Sequence, residues 1–366
     1  MFTKPISRIK FVDLELGSGC PTADGPSKLI SKTAPNAIIE FLDELKGLTG
    51  ITPEYLAPRD ATDLIISLLD VKPGTLIIST DHAVACAILN AFSQWEETKV
   101  DADIVFDQHV DIYSYKTHGK DLTKANPFRI ALDHGFLKRI IFVGARRLEE
   151  AFFNPFILLG GKNLVDFPYA WWRFQQNQHG GMDDYINVIS IERLKDVFGI
   201  ELEGLSTPLW LALDILNAHK RSMVAGNKDD IARVGIEIDL DVFDSKKNIG
   251  VDYGIHLPSR LSLDAWKKFS EASLFEKPRA TLKLIYNLWV ISYIKHKIEC
   301  AGLKVPSEEE IGLFAGIIRE MDFSVPFIHI TEYKLEFDDK DKKTTRLLKN
   351  LVVALVKESK ITSRAF

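Results

Sequence analysis

The segment DIVFDQHVD, residues 103–111, joins an apolar run to three polar side chains at alternate positions. The polar residues are Asp107, His109 and Asp111. In an extended chain, residues i, i+2 and i+4 point to the same side, so these groups project together from the end of a buried segment. Burying charged groups is costly unless something pairs with them. Taken alone, the segment is either a solvated strand end or one wall of a metal site.

Six other short apolar runs also end in polar or charged residues. They are RIKFVDLE (8–15), GTLIISTDH (74–82), RIIFVGARR (139–147), YINVISIER (185–193), RVGIEIDLD (233–241) and VPFIHITEY (325–333). Near-continuous apolar strands are typical of a parallel sheet that is covered on both faces. Helix-like patterns lie between or after these runs, at 83–97, 127–138, 263–275 and 343–359. The alternation predicts a three-layer α/β/α fold with a mainly parallel central sheet.

Length and composition indicate an ordinary globular chain. We expect a single domain over residues 1–366, with insertions near 150–185 and 273–322, the second forming two helices. The formal net charge of −5 and the dispersed lysines and arginines argue against nucleic-acid binding. There is no secretory apolar core and no apolar run of about 18 residues, so neither export nor a membrane span is expected. Three cysteines without a CxxC pair favour a reducing interior, and we expect a cytoplasmic protein.

Charged residues stand where the apolar runs end. His82, Asp107, Asp239 and Glu332 occupy such positions, and ligands of parallel sheets bind beyond the carboxyl ends of the strands. In EIDLDVFD (237–244), a second acidic residue lies two positions after Asp239. By itself this segment could equally be a turn or the start of a helix.

Together these residues predict a metal site. Four carboxylates and two imidazoles at the ends of strands in one sheet would repel one another without cations. The candidate ligands are His82, Asp107, His109, Asp111, Asp239 and Asp241. A site rich in carboxylates, with two histidines and no cysteine, suits Mn²⁺ before Zn²⁺. Six ligands are enough for two ions, with Asp107 and Asp239 able to bridge them.

The order of the motifs resembles the arginase/agmatinase (ureohydrolase) family. That family has a GGDHS-like segment, DAHxD and SxDxDxxDP, and this chain has STDHA (79–83), DQHVD (107–111) and EIDLDVFD (237–244). All six candidate ligands match the family's manganese ligands. Further stretches are also similar, namely KANPFRIALDHG (124–135), IFVGARR (141–147) and residues 329–355.

The resemblance implies a hydrolase with two Mn²⁺ ions per chain and an arginase/deacetylase-like fold. A hydroxide that bridges the ions would attack the guanidinium carbon of a small cationic guanidino or amidino substrate. Asp111 would hold this hydroxide by a hydrogen bond, and Glu332 would receive the guanidinium group. Members of the family form trimers or hexamers, so a homo-oligomer is one expectation, and the insertions could block or remake such contacts.

Several positions depart from the family pattern. Lys124 stands where the family has the histidine that transfers a proton to the leaving amine, and His118 in YKTHGK is a possible replacement. Ser79 and Thr80 replace the paired glycines, and Ser245 replaces the proline after the third motif. These departures leave two alternatives open. One is a metal-binding member without ureohydrolase activity, and the other is a deacetylase-like amidohydrolase with a single zinc.

Overall fold

The apolar run that opens DIVFDQHVD forms a strand in the computed structural model, Ala102–Phe106. The structure describes residues 5–14, 35–69, 72–95, 98–107, 122, 126–145, 186–190, 209, 212–213, 216, 233–243, 273, 277–278, 281, 307–321, 323–333, 338 and 341–360. Of the predicted site residues, His109, Asp111, His118 and Lys124 fall outside these ranges. The insertion predicted near 150–185 also falls outside them.

The described strands form one eight-stranded sheet. They are β1 (Arg8–Val12), β2 (Glu54–Leu56), β3 (Thr75–Ser79), β4 (Ala102–Phe106), β5 (Arg139–Ala145), β6 (Ile186–Ser190), β7 (Val234–Asp239) and β8 (Phe327–Thr331). Their order is β2-β1-β3-β8-β7-β4-β5-β6, and every pairing between them is parallel. All seven apolar runs therefore contain a strand. The short edge strand β2 was missed because its three residues have no apolar pattern.

Helices cover both faces of this sheet. They are α1 (Pro35–Thr49), α2 (Ala61–Leu68), α3 (Val84–Ser93), α4 (Pro127–Asp133), α5 (Glu308–Glu320) and α6 (Lys343–Lys360). Helices α1, α5 and α6 share one apolar core with one face of the sheet. Helices α2, α3 and α4 share a second core with the other face. The predicted three-layer α/β/α fold is confirmed.

Strand β4 shows why the runs are almost continuously apolar. Ile104 and Phe106 belong to the core beneath α1, α5 and α6, whereas Val105 belongs to the opposite core. Successive side chains of a strand point to opposite faces, so a strand covered on both sides needs apolar residues at nearly every position. The structural reason for the sequence pattern is therefore the double cover of helices.

Some helix predictions agree with the structure and others lie outside it. The patterns at 83–97, 127–138 and 343–359 contain α3, α4 and α6, whereas helices α1 and α2 were not predicted. The pattern at 263–275 lies outside the described residues except for residue 273. Within the segment 273–322, α5 begins with a capping box in which Ser307 and Glu310 each bond to the other's backbone N–H. Among the described residues, no helix is both long and apolar enough to cross a membrane.

Four neighbouring strands in the middle of the sheet position the candidate site. The order β3-β8-β7-β4 brings together strands that are far apart in the chain. Because these strands are parallel, their carboxyl ends lie at the same edge of the sheet. This edge is where His82, Asp107, Asp239 and Glu332 are found.

Gly235 in β7 allows a close approach beneath this edge. A Cβ atom at this position would lie 2.6 Å from Oδ1 of Asp103 and 2.9 Å from Cζ of Phe327, both of which are buried. Neither neighbour can move without disturbing packed side chains. The space at this position therefore leaves no room for a Cβ atom, so only glycine fits.

We predict that Gly235→Ala lowers the free energy of unfolding by about 2 kcal/mol, because the added methyl group overpacks a full core. Gly47→Ala in α1 is the control, since nothing lies within 4 Å of its added Cβ. The control should raise stability by roughly 0.5–1 kcal/mol. Urea denaturation measures both variants, and wild-type stability in Gly235→Ala would contradict the close approach.

Candidate metal centre

Each strand of the central group delivers one side chain to the shared edge. Asp239 is the last residue of β7, and Asp107 and Glu332 directly follow β4 and β8. His82 lies three residues beyond β3, in the turn that leads into α3. All four side chains are at least 96% buried, with 0% to 4% exposure. Burying charged groups at this depth is costly unless they are paired, hydrogen-bonded or bound to a cation.

The imidazole of His82 lies between two carboxylates. Its Nδ1 atom is 3.1 Å from Oδ2 of Asp239 and 3.7 Å from Oδ2 of Asp107. The ring also packs edge-on against Phe128 of α4, with the ring centroids 5.3 Å apart. The apolar contact limits rotation of the imidazole and keeps Nδ1 directed at the carboxylates.

A local turn adds Asp241 to the group. Oδ1 of Asp239 accepts a hydrogen bond of 2.8 Å from the backbone N–H of Asp241, which caps a 3₁₀ turn over Leu240–Val242. Residues i and i+2 of EIDLD are thus held together by a capped turn that follows the strand. Of the two possibilities left open by the sequence, a turn or a helix start, the structure shows a short 3₁₀ turn.

Glu332 has an unusual backbone conformation. Its φ angle is 64°, in the left-handed region that residues with a Cβ atom rarely adopt. Such a conformation costs free energy and persists only where the surrounding structure holds it. At the end of β8, the Glu332 carboxylate is buried beside His82 and Asp239.

Two groups of possible ligand atoms share one residue. His82, Asp239 and Glu332 form one group, and Asp107, Asp239 and Asp241 form the other. Within each group, one ligand atom from every residue lies within 4.8 Å of the others. Asp239 is common to both, as expected of a residue that bridges two ions. Oxygen donors with a histidine suit hard or borderline divalent ions, so these residues fit Mn²⁺.

The electrostatics of the carboxylates also favour a bound divalent cation. The pKa of Asp239 is raised well above its ordinary value, first by burial and then by the negative charges of nearby carboxylates. These neighbours are Asp241, Glu332 and Asp107. The hydrogen bond with His82 acts in the opposite direction. A divalent cation would offset both the burial and the repulsion, and would keep all four carboxylates ionised.

A buried polar layer beneath the site escaped the sequence analysis. Asp103, Glu237, His329 and Ser79 are all 0% exposed on the strands that lead to the site. Burial raises the pKa of Glu237 to about 8, and it lowers the pKa of His329, which the charge of His82 lowers further. The available signal was a polar residue inside each apolar run, a few positions before the site residue.

Comparisons with known proteins agree with this architecture. Residues 49–164 match the family model described as the arginase family. The resemblance to the arginase family is confirmed. The matched segment includes His82 and Asp107, whereas Asp239 and Glu332 come later in the chain. Homologues in this family are hydrolases that act on C–N bonds.

Solved structures of arginase-family proteins have a similar fold. Formimidoylglutamase from Bacillus subtilis subsp. subtilis str. 168 has a TM-score of 0.56 at 15% identity, over 97% of this chain and 87% of that chain. Arginase from the same organism gives 0.53 at 14%, over 96% and 98% of the two chains. Proclavaminate amidino hydrolase from Streptomyces clavuligerus gives 0.52 at 14%, over 98% and 97%. At such identities the likeness shows the fold alone, and a search of curated proteins finds no match.

We predict that Asp103→Asn stabilises the metal-free protein more at pH 8 than at pH 4. The pKa of Asp103 is raised, first by burial and then by the charge of Glu237, so the folded state retains a proton that the unfolded chain releases above about pH 4. Folding of the wild type therefore becomes less favourable as the pH rises, and asparagine removes this loss. Urea denaturation at both pH values should show a gain of about 1 kcal/mol at pH 8. An equal gain at both pH values would contradict a raised pKa.

Proposed function

We propose that this protein is a hydrolase of a linear guanidino or amidino compound that uses two Mn²⁺ ions. The observation that carries the proposal is the pair of buried ligand groups that share Asp239 at the carboxyl edge of a parallel sheet. The arginase-family match over residues 49–164 supports C–N hydrolysis as the reaction class.

The residues that would hold the ions come from all three motifs. The described members are His82, Asp107, Asp239 and Asp241, and the resemblance adds His109 and Asp111. When bound, such ions lower the pKa of water so that a nucleophile forms near neutral pH, and they stabilise negative charge on the reacting group. The buried carboxylates hold these cations in place, and their low-dielectric surroundings strengthen the attraction.

Glu332 would bind the cationic end of the substrate. Its carboxylate is 4% exposed and lies beside the ligand group, at the position where the family's glutamate receives a guanidinium group. A planar guanidinium can donate two parallel hydrogen bonds to a carboxylate, which fixes the orientation of the reacting carbon. Asp111 would accept a hydrogen bond from the attacking water. The leaving amine then needs a proton, for which Lys124 and His118 are the candidate donors.

One specific observation favours a second candidate function. Lys124 replaces the family's proton-transferring histidine, so a member that binds metal without releasing urea is the main alternative. A deacetylase-like amidohydrolase needs a single zinc, and two ligand groups around Asp239 count against it. The discriminating experiment is a panel of guanidino and amidino compounds, assayed for urea or ammonia with added Mn²⁺.

We predict that Asp107→Asn lowers Mn²⁺ affinity at least about 100-fold and reduces hydrolysis to background, because the amide keeps the shape and loses the charge. Isothermal titration of the metal-free protein and the urea assay measure the two effects. Asp101→Asn is the matched control. Its carboxylate lies at the other end of β4, 3.1 Å from Nζ of Lys138 and 3.2 Å from the backbone N of Arg233. The proposal fails if the wild type takes up no Mn²⁺, or if both variants bind it equally well.

We predict that Lys124→His increases the release of urea from the best substrate of the panel about tenfold or more, since an imidazole transfers protons near neutral pH far better than an ammonium group. The pH dependence of kcat should then show a group that titrates near the ordinary histidine value. His118→Asn is the companion variant, and it should lower kcat in the wild-type background if His118 supplies the proton. A Lys124→His protein that binds Mn²⁺ but releases no urea would favour the alternative without ureohydrolase activity.

A further inference from the structure

Three polar side chains form a continuous contact chain one layer beneath the candidate metal centre. Glu237 of β7 is paired in register with His329 of β8, and Oε1 of Glu237 contacts Nδ1 of His329. On the other side of the ring, Nε2 of His329 lies 2.7 Å from Oγ of Ser79 at the end of β3. We call Ser79, His329 and Glu237 the polar triad.

The triad connects the same three strands that carry one ligand group. Ser79 precedes His82 by three positions, Glu237 precedes Asp239 by two, and His329 precedes Glu332 by three. Each member of the group His82, Asp239 and Glu332 therefore follows, two or three residues later, a triad residue on β3, β7 or β8. Side-chain contacts link the three triad residues across β3, β8 and β7.

Pairing between the strands ends before it reaches His82 and Glu332. The last register pairs are Ile78 with Ile330 between β3 and β8, and Asp239 with Thr331 between β7 and β8. His82 and Glu332 lie beyond these pairs. The hydroxyl of Ser79 reaches into this region, 3.1 Å from Oγ1 of Thr331 and 3.2 Å from the carbonyl oxygen of Asp81. It thus contacts the residue before Glu332 and the residue before His82.

Burying three polar side chains at this depth costs free energy that apolar side chains would not. Apolar side chains of similar shape in place of a buried polar pair often leave a protein equally stable or more stable. What hydrogen bonds add is direction, because they hold two strands at a defined distance and angle. Metal ligands must be held within about 0.5 Å of the positions that bind the ion, and residues behind the ligands usually fix these positions.

Two triad residues stand at positions where the motifs depart from the arginase family. Ser79 occupies the first glycine of the GGDHS-like segment, and Glu237 occupies the serine of SxDxDxxDP. In the structure these two departures meet through one histidine. Two unrelated substitutions would not be expected to contact the same buried residue.

We propose that Ser79, His329 and Glu237 are positioning residues that hold His82 and Asp239 in the geometry required to bind a divalent cation, and that keep Glu332 beside them. The proposal rests on the proposed function, since it takes His82 and Asp239 to be metal ligands. The triad touches neither metal nor substrate, and acts through the strand ends and the turn at Asp81.

The test is Mn²⁺ affinity, measured by isothermal titration of the metal-free protein, together with its thermal midpoint before metal is added. Glu237→Met and Glu237→Gln are a matched pair, because both are uncharged and similar in shape and only glutamine can hydrogen-bond to His329. Ser79→Ala removes the other end of the triad. Thr98→Val is the control, since the Thr98 hydroxyl is buried and bonds to the carbonyl of Phe92 at 2.8 Å, away from the site.

We expect Ser79→Ala and Glu237→Met to weaken Mn²⁺ binding by about 10-fold to 100-fold. Glu237→Gln should recover most of the loss, and Thr98→Val should bind within about threefold of the wild type even if its thermal midpoint falls. Affinities in Ser79→Ala and Glu237→Met equal to that of the wild type would overturn the positioning role alone. So would losses that merely follow the thermal midpoint across all variants, the control included. A wild type that binds no Mn²⁺ would overturn the proposed function itself, and the positioning role with it.

Discussion

Repulsion among buried carboxylates is the constraint on which the arrangement of the site depends. Parallel strands end at one edge of their sheet, so acidic residues at the ends of neighbouring strands necessarily converge. Asp107, Asp239, Asp241 and Glu332 meet there with almost no exposure to water. Water is excluded, so it does little to screen the charges at this depth. Bound cations are the natural counter-charge, and the surrounding structure holds the ligands together against their mutual repulsion.

Several local devices perform this task. The left-handed backbone of Glu332, the capped turn between Asp239 and Asp241, and the edge-on packing of Phe128 on His82 each fix one side chain. Each device costs stability or restricts the local sequence. Their concentration at one edge of the sheet, above the buried polar layer, marks this edge as the candidate functional end of the molecule.

The candidate ligands and several departures from the arginase family occupy different positions in the chain. The described candidate ligands His82, Asp107, Asp239 and Asp241 lie at or just beyond strand ends. Lys124 and Ser245 depart from the family pattern outside the described residues, whereas Ser79 and Glu237 depart from it within β3 and β7. Changes away from the candidate ligands leave the donor atoms in place, so one arrangement of ligands is compatible with different substrates. A fold shared at 14–15% identity is therefore compatible with a substrate unlike those of the related enzymes.

The sequence by itself determined the three-layer class, the seven longer strands and the type of each candidate ligand. These properties are local, since burial on both faces requires apolar runs and metal binding requires particular donor atoms. Only the tertiary structure decided that β3, β8, β7 and β4 are neighbours, which places His82 beside Asp239. It also revealed the contact of Ser79 and Glu237 with His329, residues that the sequence presents as isolated polar positions in apolar runs. The physical reason is that strand order depends on contacts between distant segments, and a pattern within one strand carries no information about its neighbours.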